Sequence, residues 1–184
     1  MVKNYFFLSI SLFFILTTIN SSAQVPGKIS SGFSFGGTGI AGVPIQLRPF
    51  KQLSLDIGVY ARAAHVDVFE PKWYLGPSLD AGLNLYFSHR IKPDKNRSVS
   101  HGLYIKGGMG LKDLQEKTLS IGWVQEFYNE KHPGRFIQLQ LGPSVRHLTE
   151  TFINTRYPPG YQEQTQEWYS GMIYTRLCYF FSIL

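Results

Sequence analysis

The sequence predicts an all-β fold, one eight-stranded antiparallel up-and-down transmembrane β-barrel preceded by a cleaved signal peptide. Three observations predict it. Residues 73–88, WYLGPSLDAGLNLYFS, alternate without a break. Trp73, Leu75, Pro77, Leu79, Ala81, Leu83, Leu85 and Phe87 share one face of a period-two strand, and Tyr74, Gly76, Ser78, Asp80, Gly82, Asn84, Tyr86 and Ser88 share the other. At roughly 3.4 Å per residue that strand is about 50 Å long. Other stretches repeat the alternation, and no helical period interrupts them after residue 24. Asp, Glu, Lys and Arg fall almost wholly opposite the apolar face.

Residues 1–23 read as the signal peptide. Lys3 is a short basic region, 5–19 an apolar one, and Ser21-Ser22-Ala23 a small-residue cleavage site. The mature barrel domain is then 24–184. Strand 1, at 28–36, sets Ile29, Phe33 and Phe35 against Ser30, Gly32 and Ser34, and Gly36-Gly37 signals a tight hairpin. Strand 2, at 39–48, sets Ala41, Val43, Ile45 and Leu47 against Pro44, Gln46 and Arg48. Pro44 suggests a bulge there. Strand 3 spans 52–65 and strand 4 spans 73–88. The dense basic run at 89–98 reads as a solvated turn. Strands 5 to 8 are expected at 99–111, 118–130, 135–149 and 167–183. Loops are expected at 66–72, 112–117 and 150–166, the last being the longest.

Composition narrows the function classes. Charged residues make up 16% of the chain, against about 25% in ordinary soluble domains. The net charge of +6 is scattered outside 89–98, so no nucleic-acid surface is expected. The single cysteine, Cys178, excludes an internal disulfide and reads as a small packed thiol. His65, His89, His101, His132 and His147 are scattered, and no metal site or cofactor is expected.

Alternation does not say which face points inward. The interior of an eight-stranded barrel is just wide enough for side chains. It accepts the face rich in Gly, Ser and Tyr more easily than a wall of Leu and Ile. Aromatics also gather near strand ends, as at membrane interfaces: Trp73 and Tyr169 at one rim, Phe87, Phe127 and Phe181 at the other, with Trp123 also on the apolar face. With the N-terminus in the periplasm, the turns at 49–51, 89–98 and 131–134 are periplasmic, and the longest loop is external.

In these features the chain resembles the small eight-stranded outer-membrane barrels of Gram-negative bacteria, of the OmpA/OmpX type. The resemblance covers 28–184. The last strand, 174–184, is similar to the C-terminal signal read by the barrel assembly machinery, although the apolar set ends at Ile183 and Leu184 replaces the family's terminal Phe. The resemblance implies localisation in the cell outer membrane after export, with outer-membrane lipid as surroundings. It also implies a non-enzymatic structural or adhesion role through external loops. A secreted lipocalin-like barrel is the soluble alternative. It requires Leu55, Leu79 and Leu83 to line an apolar cavity.

Two sets of residues carry candidate chemistry. Arg48, Asp56, Arg62, Asp80, Lys106, Glu126, Arg146 and Arg176 all lie on the inward face. Buried charges need partners, so Asp56, Asp80 and Glu126 should each meet Arg62, Lys106, Arg146 or Arg176, plugging the lumen. Left open, the five bases and three acids would line a narrow pore of mild anion preference. Separately, His147, Thr149 and Glu167 fall on the outward face. They are similar to the His-x-Ser pair plus carboxylate of the outer-membrane lipid A deacylases, with Thr149 in place of Ser.

Overall fold

The computed structural model describes residues 29–37, 39–66, 72–92, 96–111, 115–129, 131–132, 134–154 and 162–183. The expected signal peptide lies outside them. Eight strands follow in chain order: β1 (Ile29–Gly36), β2 (Ala41–Phe50), β3 (Leu53–Val66), β4 (Lys72–Lys92), β5 (Arg97–Gly110), β6 (Gln115–Asn129), β7 (Arg135–Asn154) and β8 (Gln162–Ser182). Each pairs antiparallel with the next, and β8 pairs with β1 to close the barrel. The closing ladder runs from Ser30↔Ser182 to Gly36↔Arg176. One end of the barrel carries the connections near 51–52, 93–96 and 130–134, here the turn end. The other carries those near 37–40, 67–71, 111–114 and 155–161, here the loop end.

Several connections are shorter than the sequence suggests. β4 continues to Lys92 and β5 begins at Arg97, so most of the basic run at 89–98 is strand. Its turn contains Asn96 in a left-handed conformation, φ 48°, which Asn tolerates better than most residues. β6 begins at Gln115, inside the expected loop at 112–117. The ladder Glu150↔Gln166 to Asn154↔Gln162 carries β7 and β8 beyond Gln115↔Thr149, the last pair of β6 with β7. The expected loop at 150–166 is therefore largely a two-stranded ribbon. The strands extend further than the alternating apolar residues show, because polar residues hold a ladder as well as apolar ones do. Gly36 and Gly37 both take positive φ, 81° and 77°, as a tight right-twisted hairpin requires.

The expected bulge at Pro44 is absent. Pro44 pairs in register with Gly58, and the irregularity lies between Leu47 and Phe50. Pro44 needs no bulge because the β1–β2 ladder omits Gly32 and Phe33 opposite it. A second irregularity, between Tyr86 and Ser88, was not foreseen. It changes the parity of β4. Ser88 pairs with outward His101 rather than continuing the inward face, and His89 turns in to bond Ser100 Oγ at 2.8 Å.

Polarity is inverted relative to a water-soluble barrel. Phe33, Ile45, Ile57, Leu103, Ile121, Leu141 and Ile173 are exposed on the outer wall, while Arg, Asp, Glu, Gln and Ser side chains are buried inside. Leu55, Leu79 and Leu83 face outward too, against the requirement of the lipocalin-like alternative. The interior is not wholly polar. Tyr128, Phe136, Cys178 and Phe180 form an apolar cluster near the turn end, with the Phe136 and Phe180 rings stacked at 4.9 Å.

β6 and β7 leave no room for a side chain at Gly122 and Gly142. A Cβ built on either would come within 2.6 Å of the other's Cα. Gly142→Val should therefore prise the two strands apart, with a loss of about 1–3 kcal/mol as for overpacking. Urea unfolding of the refolded barrel, followed by tryptophan fluorescence, measures it.

Candidate functional site

The lumen is a stack of three polar layers, and Glu126 organises the one nearest the turn end. Its side chain is fully buried. Period two aims it inward from β6 together with Tyr128. Oε1 accepts hydrogen bonds from Gln46 Nε2 at 3.1 Å, Gln138 Nε2 at 3.0 Å and the Tyr86 hydroxyl. Oε2 accepts from Arg48 Nη2 and the Tyr128 hydroxyl. Arg48 Nη1 also donates to the Tyr128 oxygen at 2.9 Å, and its guanidinium lies 4.6 Å from the Tyr86 ring centroid. One carboxylate thus gathers donors from β2, β4, β6 and β7. The apolar cluster of Phe136 and Phe180 covers this layer towards the turn end.

The middle layer is centred on Asp56 and Arg176. Arg176 Nη1 lies 3.9 Å from Asp56 Oδ2, and its other terminal nitrogen donates to the Tyr60 hydroxyl. Asn84 Nδ2 donates to Asp56 Oδ2 at 3.0 Å and to Ser54 Oγ at 2.8 Å. Gln140 Nε2 donates to Asn84 Oδ1 at 2.8 Å. The third layer, at the loop end, holds Arg62 at 3.5 Å from Asp80 and 3.2 Å from Glu116. Arg146 Nε is 2.8 Å from Glu116 Oε1 but off the N–H direction, so the hydrogen bond comes from Nη2 to Oε2 at 3.3 Å.

All eight expected lumen residues lie inside, but their partners differ in part. Asp56 meets Arg176 and Asp80 meets Arg62. Glu126 meets Arg48, which the sequence places on the inward face but not among its partners. Arg146 meets Glu116, which the sequence leaves in a loop. One further step of period two back from Thr118 finds Glu116. Lys106 joins no ion pair among the described residues. The lumen there holds five bases against four acids, not three.

On the outer wall His147, Thr149 and Glu167 do come together. Thr149 and Glu167 are cross-strand partners, and His147 Nε2 lies 3.5 Å from Glu167 Oε2. The imidazole stacks on Tyr169, with ring centroids 4.5 Å apart. Among the described residues no hydrogen bond joins Thr149 to His147. A general base must reach the proton it abstracts, and this ring is held instead against Tyr169.

Of the aromatics expected at membrane interfaces, Tyr169, Phe87, Trp123, Phe127 and Phe181 are exposed on the outer wall. The side chain of Trp73 lies outside the described ones. Phe87, displaced by the β4 irregularity, meets Trp123 edge-on at 5.3 Å. No group of three His, Cys, Asp or Glu among the described residues could hold a metal ion. Comparison with protein-family models, curated proteins and solved structures finds no match for this chain.

The first layer makes a separable prediction. Glu126→Gln keeps the shape and leaves Arg48 buried without a counter-charge, which should cost about 3–5 kcal/mol. Adding Arg48→Met should recover part of that loss. Denaturant unfolding of both variants in detergent micelles measures the difference. Equal stability of the single and double variants would show that the pair carries no coupling.

Proposed function

We propose that the chain is an outer-membrane β-barrel of a Gram-negative bacterium with a plugged lumen. In this reading it has a structural or adhesive role, exercised through the loop end. The observation that carries the reading is the inverted polarity of a closed sheet. Water-soluble monomers rarely expose apolar patches beyond a few hundred Å². Here aliphatic and aromatic side chains stand exposed on all eight strands. Hydrocarbon around that wall removes the penalty. It also demands that no sheet edge stay open, since each unsatisfied backbone group would cost several kcal/mol in lipid. The β1–β8 ladder meets that demand.

The plug is supported by the Glu126 layer and the stacked Phe136 and Phe180 beneath it. The part offered to partners is the β7–β8 ribbon, which rises beyond β6 at the loop end. The last strand would be what the barrel assembly machinery reads during insertion. This role requires no cofactor and no enzymatic step.

Two measurements test the proposal. The protein should fractionate with outer membranes and migrate differently in gels with and without heating. Leu79→Arg, on the outer wall, should destabilise the inserted barrel by about 2–4 kcal/mol at mid-membrane depth. A wild-type protein that stays soluble and monomeric without detergent would overturn the membrane reading. Planar bilayers test the plug: the purified barrel should conduct poorly, and a large steady conductance would refute it.

A further inference from the structure

The two halves of the lumen differ in how well their polar atoms are matched. In the Glu126 layer both carboxylate oxygens are bonded. Nearer the loop end lie buried donors without a hydrogen-bond partner among the described residues: Lys106 Nζ, the Tyr104 and Tyr174 hydroxyls, and the nitrogens of Arg62. The charge of Arg62 is met by Asp80 and Glu116. That of Lys106 is not met among the described residues. Its side chain is buried, with the residue only 3% exposed, and among the described residues no carboxylate forms an ion pair with it.

Three observations place Lys106 and the two tyrosines in one region. Tyr104 and Lys106 stand two apart on the inward face of β5. The Tyr104 and Tyr174 rings lie 5.5 Å apart. Lys106 Nζ is 5.9 Å from the Tyr60 ring centroid, and that ring is already covered by Arg176 at 5.0 Å. At 5.9 Å the ammonium is at the outer limit of a cation–π contact, which offsets its charge only in part. The cross-strand neighbours of Lys106 are Gly82 and Ser120, so small residues flank it on both sides. A buried ammonium with no counter-charge is costly. Water can accept its hydrogen bonds but cannot neutralise it. A small anion does both.

We propose that the loop half of the lumen is a binding site for one small inorganic anion of halide size, held by Lys106 Nζ with the hydroxyls of Tyr104 and Tyr174 as further donors. The site needs only the folded barrel, so it stands whether or not the membrane reading does.

Bromide is the probe. Crystals of the refolded barrel grown in sodium bromide should show an anomalous peak in the lumen beside Lys106, absent in Lys106→Met. In detergent, the melting temperature of the wild type should rise with bromide relative to sodium gluconate at equal ionic strength, which removes general screening. Above the dissociation constant, the folded-to-unfolded ratio should gain about tenfold per tenfold bromide. Lys106→Met should show no such difference. Equal melting in the two salts, peaks confined to the outer surface (an adventitious ion only), or a lumen peak that survives Lys106→Met would each overturn the site. If Lys106→Met fails to fold, the wild-type comparison of bromide with gluconate decides alone.

Discussion

The closure of β8 onto β1 is the constraint on which everything else in this molecule rests. An antiparallel sheet has two edges, and each edge presents unpaired N–H and C=O groups. The ladder from Ser30↔Ser182 to Gly36↔Arg176 removes both, and Ile183 N adds a bond to Ile29 O at 2.9 Å. Once the sheet is closed it has only an inside and an outside. The period of two then sorts every side chain between them, and no strand can choose its faces independently of its neighbours.

That sorting sends charge to the narrow side. The interior has little room for water to solvate ions, so carboxylates and guanidinia must find one another across the lumen. Glu126 does so with five donors, and the layers around Asp56 and Glu116 do so with fewer. The quality of matching declines from the turn end to the loop end. The lumen is thus tightly bonded beside the apolar cluster at the turn end and loosely bonded where it approaches the loops.

Alternation is a local property, and what depends on it was legible in the sequence. Strand number, the inward set around Asp80 and the outward Leu79 and Leu83 can all be read by counting in twos. The β4 irregularity broke that count after Tyr86, because nothing in Tyr86-Phe87-Ser88 marks an extra residue. Glu116 escaped because the charged Gln115-Glu116-Lys117 looks like a loop until its neighbours are paired. The partner of Glu126 was hidden for another reason. Arg48 lies on β2 and Glu126 on β6, and which strands face each other across a barrel depends on tilt and stagger. Neither is written in the alternation. The apolar Val124, Phe136 and Phe180 of the interior break the polar rule but not the count: the period of two puts them on the inward face, and only their apolar character hid them.

The donors of Glu126 also set an order on assembly. Gln46 and Arg48 stand 80 and 78 residues away from it along the chain, while Gln138 is 12 away. Contacts of long sequence separation require loop closure before they repay it. The β6–β7 hairpin can bring Gln138 to Glu126 early, but the guanidinium arrives only when the sheet has curled far enough to bring β2 opposite. Until then the carboxylate remains in water, where it is stable by itself. The layer therefore acts as a latch that engages late. It stabilises the curled wall and gives a flat, half-formed sheet almost nothing, which makes the final step of folding cooperative.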